Sequence, residues 1–266
     1  MLGAVLSTLV LIGSSQPPSP DAAHWALQVA SAQCVLERQR ADGTPILSIE
    51  TAPGSDSFRV AIAGKPSLSD EALGPASLTF APSNHVMNGY ARIVRGQDGE
   101  PLLWMQGVAP SLLDALSAAQ SVTMTTRQDE SAAISVPGAQ EAVVALRRCS
   151  EEQLIEWGAD PAQFQAGGTP PMARKSRDEW LPDRDVLAIG KESSRAQIND
   201  LFRVVVSTKG KVEDCRALAS EVEPGVEKVA CAAVMNRPLF TPARDPRGNP
   251  VRGVATFRVL VMREAA

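Results

Sequence analysis

The sequence predicts an α+β fold in two domains: an antiparallel β-rich N-terminal domain with short closing helices, then a small α-β-β-α-β domain. Three observations predict it. Apolar residues alternate at period two through segments between Trp25 and Gly107, as half-buried strands require. A Gly-, Pro- and Arg-containing stretch at 161–181 carries no apolar period. Beyond it, Val226, Val229, Ala230, Ala233 and Val234 trace one helical stripe among alternating segments. The domain limits read 1–23 for a leader, 24–160, a linker at 161–181, and 182–266.

Composition narrows the function classes. The 266 residues are 44% hydrophobic and 21% charged, which suits a folded chain. With 26 Lys and Arg against 30 Asp and Glu, the net charge of -4 speaks against a nucleic-acid partner, which needs a basic face. Aromatic content of 4% leaves little for stacking platforms.

Leu2 to Gly13 is an apolar run followed by Ser and Pro. It is shorter than the roughly 20 residues that span a bilayer and suits a secretory core, with small residues at Gly13 and Ser15 for cleavage. No Lys or Arg precedes the run, which a misplaced start or a short uncleaved anchor would equally explain. The expectation is export to the periplasm, with membrane association only through this leader if it is uncleaved. Cys34, Cys149, Cys215 and Cys231 form an even set without C-x-x-C spacing, so disulfides are expected rather than zinc. Local pairing would join Cys34 to Cys149 and Cys215 to Cys231; reduced thiols in a cytosolic chain are the alternative.

The elements follow in order. Strand patterns cover Trp25 to Arg38, Pro45 to Thr51 and Ser57 to Gly64, with Phe58, Val60 and Ile62 on one face. Turns fall at Asp42-Gly43, Pro53-Gly54 and Gly64-Lys65-Pro66. Further strands are expected at Ala76 to Phe80, Gly89 to Val94 and Pro101 to Gly107, with Asp98-Gly99 turning the last pair. Ser111 precedes a helix with Leu112, Ala115 and Leu116 on its stripe, and Ser121 to Arg127 returns to strand. A second helix carries Ala142, Val143, Leu146 and Cys149; a third runs Glu151 to Trp157 and ends at Gly158. In the linker, Arg174, Lys175 and Arg177 are expected to be solvated.

Asp183 to Ala196 is expected as a helix burying Val186, Leu187 and Ile189. Phe202, Val204 and Val206 then alternate, Lys209-Gly210 turns the chain, and Val212 to Leu218 returns. Pro224 suits the first position of the striped helix and Pro238 forbids its continuation. The last strand places Ala255, Phe257, Val259 and Val261 on one side.

VVVSTKGKVEDCRAL, PGVEKVACAAVMNR and LFTPARDPRGNPV, in that order, resemble the TonB C-terminal domain family over the last third of the chain. The matching residues are Phe240, Pro242, Ala243, Gly248, Pro250 and Val251. Where the family has a Ser-Ser-Gly turn this chain has Ala219-Ser220-Glu221, and its membrane anchor and Pro-rich spacer have no counterpart here. The resemblance implies a sheet ending in a strand able to take an extended peptide. The expected edge is the last strand, Gly253 to Met262, through Val254, Thr256, Phe257, Arg258 and Val259, with the second-strand side as the other possibility and cover by the N-terminal domain or a second copy as the competing reading. SLLDALSAAQSVTMT and SVPGAQEAVVAL bear a looser likeness to periplasmic domains of the invasion-associated locus B type.

The expected function is therefore an exported cell-envelope binding protein, with an outer-membrane receptor, another envelope protein or peptide, or a second copy as partner. A true energy transducer with a truncated anchor, or a periplasmic hydrolase, are the alternatives. Nothing suggests catalysis, a cofactor or a metal. His24 and His85 lack triad partners, and Gly190-Lys191 lacks the upstream Gly of a phosphate loop.

Overall fold

The computed structural model describes residues 23–30, 32–63, 73–95, 99, 101–126 and 131–262. All of the 1–23 leader but its last residue, the Gly64-Lys65-Pro66 turn, Asp98 and Arg127 lie outside them. The fold is α+β.

The first part of the chain builds one antiparallel sheet of nine strands. They are β1 (His24–Ala30), β2 (Gln33–Gln39), β3 (Pro45–Thr51), β4 (Phe58–Ala63), β5 (Gly74–Ala81), β6 (His85–Arg95), β7 (Pro101–Val108), β8 (Ser121–Thr126) and β9 (Ser131–Ser135). Their spatial order is β1-β2-β3-β4-β7-β6-β5-β8-β9. The alternation seen in sequence is the alternation of burial. Leu36, Leu47, Ile49, Val60, Ile62, Leu78, Phe80, Leu103 and Met105 all face one core. Helices α1 (Leu112–Ser117) and α2 (Ala139–Glu156) add Leu112, Leu116, Val143 and Leu146 to that core.

Three local expectations need correction. The Trp25 to Arg38 pattern is two paired strands, because the chain reverses between Ala30 and Gln33. The two helices expected between Ala142 and Trp157 are one, α2, since nothing between Cys149 and Glu151 breaks the stripe and Arg148 pairs with Glu152 at 2.7 Å across the join. Strand β9 was not foreseen; it is short, polar on one side and pairs only with β8. The ending of α2 is as expected. Gly158 adopts φ 105, and the Gly158 and Ala159 amides donate to Ile155 and Leu154 in a Schellman arrangement.

The composition of 161–181 suggests a free linker, but the stretch is built into the fold. Residues Pro161–Phe164 form a 3-10 turn capped by Asp160, and β10 (Met172–Ala173) pairs with β13 (Phe240–Thr241). Trp180 is fully buried, edge-on to Phe240 at 5.0 Å. An indole of that size is drawn under cover wherever the neighbouring core has room for it.

The last part contains α3 (Asp183–Glu192), β11 (Gln197–Val206), β12 (Val212–Ala217), α4 (Pro224–Val234), β14 (Ala243–Arg244), β15 (Pro250–Val251) and β16 (Gly253–Met262). The order β12-β11-β16 makes a three-stranded antiparallel sheet. Phe202, Val204, Val226, Ala230, Val234, Phe257 and Val259 form its core with Trp180 and Ile189. Gly210 turns the β11–β12 hairpin at φ 76, and a Cβ there would collide with the Phe240 carbonyl oxygen. Helix α3 stops at Glu192, short of Ala196, and Leu187, expected inside, is 68% exposed. Beyond α3, the Ser194 N–H and hydroxyl both donate to Glu223, at 2.8 and 2.7 Å, drawing residues 193–195 away from helical geometry.

Both expected disulfides form, Cys34 to Cys149 and Cys215 to Cys231, and no cysteine is free. The first joins β2 to α2 across a separation of 115 residues, the second β12 to α4 across 16. Loop-closure entropy predicts that C34A/C149A costs about 4–5 kcal/mol and C215A/C231A about 3 kcal/mol, read from urea unfolding. Hydrogen bonds from Ser193 and Ser194, helped by Arg195, depress the Glu223 carboxyl from an ordinary 4.5 to about 2. A depressed carboxyl stabilises the fold above its unfolded pKa and loses that contribution as pH falls. Stability should decline between pH 4.5 and about 2 by an amount that Glu223→Gln removes, measured as Tm against pH.

Candidate functional site

The candidate site is the outer edge of β16, the feature that could take an added strand. The strand pairs with β11 on one side only, from Gly253↔Val206 to Met262↔Gln197 without a bulge. In such a ladder alternate residues turn their backbone N–H and C=O away from the partner strand. The Thr256 N–H points outward, since it donates at 3.1 Å to the Gly54 carbonyl. By the same alternation Val254, Arg258, Leu260 and Met262 also face outward.

The edge has two unlike halves. Over the first, the β3–β4 turn lies across the strand. Gly54 sits there at φ 75, and a Cβ on it would come within 2.9 Å of the Ala255 Cα. Only glycine permits that approach. Arg177 completes the closure. Its Nη1 and Nη2 donate to the Gly54 carbonyl at 3.1 Å, and Nη1 also donates to the Thr256 carbonyl. Its Nε lies 3.0 Å from an Asp56 carboxylate oxygen, as an ion pair off the hydrogen-bond axis. The Arg177 side chain is only 13% exposed. Burial pushes its pKa below the ordinary arginine value while Asp56 opposes the shift. Lys175 remains exposed, as expected of that cluster, but Arg177 does not.

Over the second half no described hydrogen bond closes the edge, although burial, with Arg59 nearby, lowers the Arg258 pKa while Glu50 and Asp200 oppose the shift, so β3 and β4 stay close to its start. Leu260 is 58% and Met262 70% exposed, and Arg258 is exposed with Nη1 donating to Asn199 at 2.8 Å. Of the five edge residues expected from sequence, Arg258 alone is exposed. Val254, Thr256, Phe257 and Val259 are buried, Phe257 and Val259 because they point into the core beneath the sheet. Leu260, not among the residues expected from sequence, is an outward and exposed position. Its place two residues after Arg258 on an alternating strand was the available signal.

The motif residues shape this region from behind. Phe240 and Ala243 are fully buried. Gly248, at φ 82, lies in the β14–β15 turn, where Asp245 accepts from the Arg247 and Asn249 amides at 2.9 and 2.8 Å. Pro242, Pro250 and Val251 flank that turn, which leads directly into β16.

A groove of about 590 Å³ lies elsewhere, between β1 and the end of α2, lined by Leu27, Val29, Arg148, Gln153 and Trp157 among others. Among the described residues no group of His, Cys, Asp and Glu could hold a metal ion, and no helix is long and apolar enough to cross a membrane. The chain matches no known family model and no curated protein.

Arg177→Ala leaves the Thr256 carbonyl without its donor and the Gly54 carbonyl with the Thr256 N–H alone. It should cost about 2–3 kcal/mol in urea unfolding, as loss of a buried charged donor does, and should speed amide exchange at Thr256.

Proposed function

We propose that the chain is an exported cell-envelope binding protein of two domains, whose C-terminal domain, of the TonB C-terminal type, adds a partner's extended segment to β16. The observation that carries this reading is the half-closed edge: outward backbone groups from Arg258 to Met262 beside two exposed apolar side chains. An extended peptide supplies the matching donors and acceptors, and apolar side chains at alternate positions would meet Leu260 and Met262.

Two further features support it. Two disulfides and no free thiol suit an oxidising compartment such as the periplasm. The order α3-β11-β12-α4-β16 is the order of elements that the family resemblance implies. Partner chemistry follows from the edge: an outer-membrane receptor segment or another envelope peptide, with a second copy of the chain as the competing occupant. The Gly54 turn and Arg177 close the first half, so binding is confined to about three outward positions unless the turn is displaced.

Leu260→Pro tests this directly. It deletes the outward N–H while leaving the inner ladder to β11 intact. With one edge hydrogen bond lost and the approach obstructed, binding of envelope-receptor peptides should weaken roughly tenfold or more, while circular dichroism stays unchanged. A photo-crosslinker at position 260 should trap the peptide, and one at position 254 should not. Equal peptide affinity for the wild type and Leu260→Pro would sink the proposal, and trapping of the chain by itself alone would assign the edge to a homodimer.

A further inference from the structure

The nine-stranded sheet ends at β1, but its buried core ends one strand earlier. Pairing sets Leu27 beside Leu36 and Val29 beside Cys34. Directly paired residues share a face, so all four point toward the core side of the sheet. Leu36 and Cys34 are at most 1% exposed, whereas Leu27 is half-buried and Val29 is 64% exposed. Strand β1 therefore turns apolar side chains toward a space that no described side chain fills.

That space is the groove of about 590 Å³ between β1 and the end of α2. Its size lies within the range of about 300–1,000 Å³ typical of ligand sites. Ala145, Cys149 and Trp157 form the apolar part of its far wall. Strand β1 is also an edge, paired with β2 alone. Among the described residues, one backbone group of β1 is bonded outside that ladder: the Ala30 carbonyl, which accepts from Gln153 Nε2 at 2.7 Å. A trough with an edge strand on one side and a helix on the other suits an extended chain. Such a chain pairs its backbone with the strand and sets alternate side chains between strand and helix.

The rim favours one sign of charge. Glu152 and Glu156 line the groove one turn apart on α2. Arg148 pairs with Glu152 at 2.7 Å, while Glu156 is exposed with no ion pair among the described residues. The last turn of α2 holds no basic residue, and the negative end of the helix dipole lies there. Arg203 Nη1 donates to the Trp157 carbonyl at 3.3 Å, but that guanidinium is also paired with Asp214 at 3.5 Å. A cationic side chain brought by a partner is what this end of the groove favours.

We propose that an extended segment of a partner protein adds to the edge of β1, sets an apolar side chain over Val29 and places a Lys or Arg against Glu156. A second copy joined β1 to β1 fits less well, because His24–Ala30 holds no Lys or Arg. Residues 1–22 hold none either. An apolar small molecule would fill the groove but leave the backbone groups of the strand unpaired. This edge belongs to the nine-stranded sheet, and the reading of β16 is not needed for it.

The test is fluorescence anisotropy on the full chain with two labelled, end-blocked heptapeptides of alternating Val and Thr, one ending in two Lys and the other in two Glu. Expected is saturable binding of the Lys peptide, roughly tenfold or more tighter than that of the Glu peptide. Glu156→Lys should remove or invert this preference, and Val29→Ser should weaken the Lys peptide several-fold. Both side chains are exposed, so both variants should keep the wild-type Tm. In the otherwise unaltered chain a photo-crosslinker at position 29 should trap the Lys peptide, and Leu260→Pro should bind it as the wild type does. No saturable binding, or a Lys preference unchanged by Glu156→Lys, overturns the proposal. Loss of binding in Leu260→Pro overturns it by assigning the peptide to β16. Self-association that Val29→Ser abolishes overturns it in favour of a second copy.

Discussion

A guanidinium taken out of water must find acceptors, and in this chain Arg177 finds them on two backbone segments far apart in sequence. One is the β3–β4 turn at Gly54, the other the edge of β16 at Thr256. Without Arg177 the Gly54 carbonyl would keep only the Thr256 N–H and the Thr256 carbonyl would lose its donor at that seam, and neither segment would hold Arg177 alone. The arrangement is satisfied only when all three are together, so a polar requirement becomes a constraint on how the two sheets meet. The small apolar cluster of Leu154, Ala159, Val205 and Val254 covers the neighbouring seam, and the Asp160 amide donates to the Arg252 carbonyl at 2.9 Å. The apolar cluster gives area; the arginine gives position.

That constraint decides which part of β16 stays open. Edge strands are hazards because their unpaired groups recruit other chains, and proteins often cover them. Here the cover is partial. Gly54 lies so close to Ala255 that any side chain would push the turn away, while further along the strand Leu260 stands in solvent. A fully covered strand would have no use for binding and a fully open one would invite indiscriminate pairing. The half-closed edge leaves only a short segment of the strand exposed.

Much of the framework was legible in the sequence because it rests on local chemistry. Period-two alternation located Phe58, Val60 and Ile62, the helical stripe located Val226, Ala230 and Val234, and Gly210 marked its hairpin. Cysteine pairing followed from economy of distance along the chain. What stayed hidden depends on partners remote in sequence. Trp180 and Arg177 sit in a stretch whose Gly, Pro and basic composition reads as linker, and only Phe240, Gly54 and Thr256 give them their places. Leu187 looked buried because its helix is apolar on two sides, yet the core reaches only Ile189. Phe257 and Val259, expected at the edge for their apolar character, are buried beneath the sheet, because that same character sends them inward.

Two arginines, Arg38 and Arg177, bring the physics of burial into contrast. Each lies near an indole and each is shifted down by loss of water. Arg177 is surrounded by oxygens, and its charge is spent on holding the protein together. Arg38 lays its stem and one face of its guanidinium along the apolar row beside Trp25, a contact worth about 1–2 kcal/mol, and only its Nε is sealed and unpartnered. Its amino groups are not among the sealed atoms, so the long side chain covers apolar surface while its charged tip escapes the full cost of burial. The same residue type thus serves as a clamp where backbone oxygens converge on it and as a cover for the sheet where they do not.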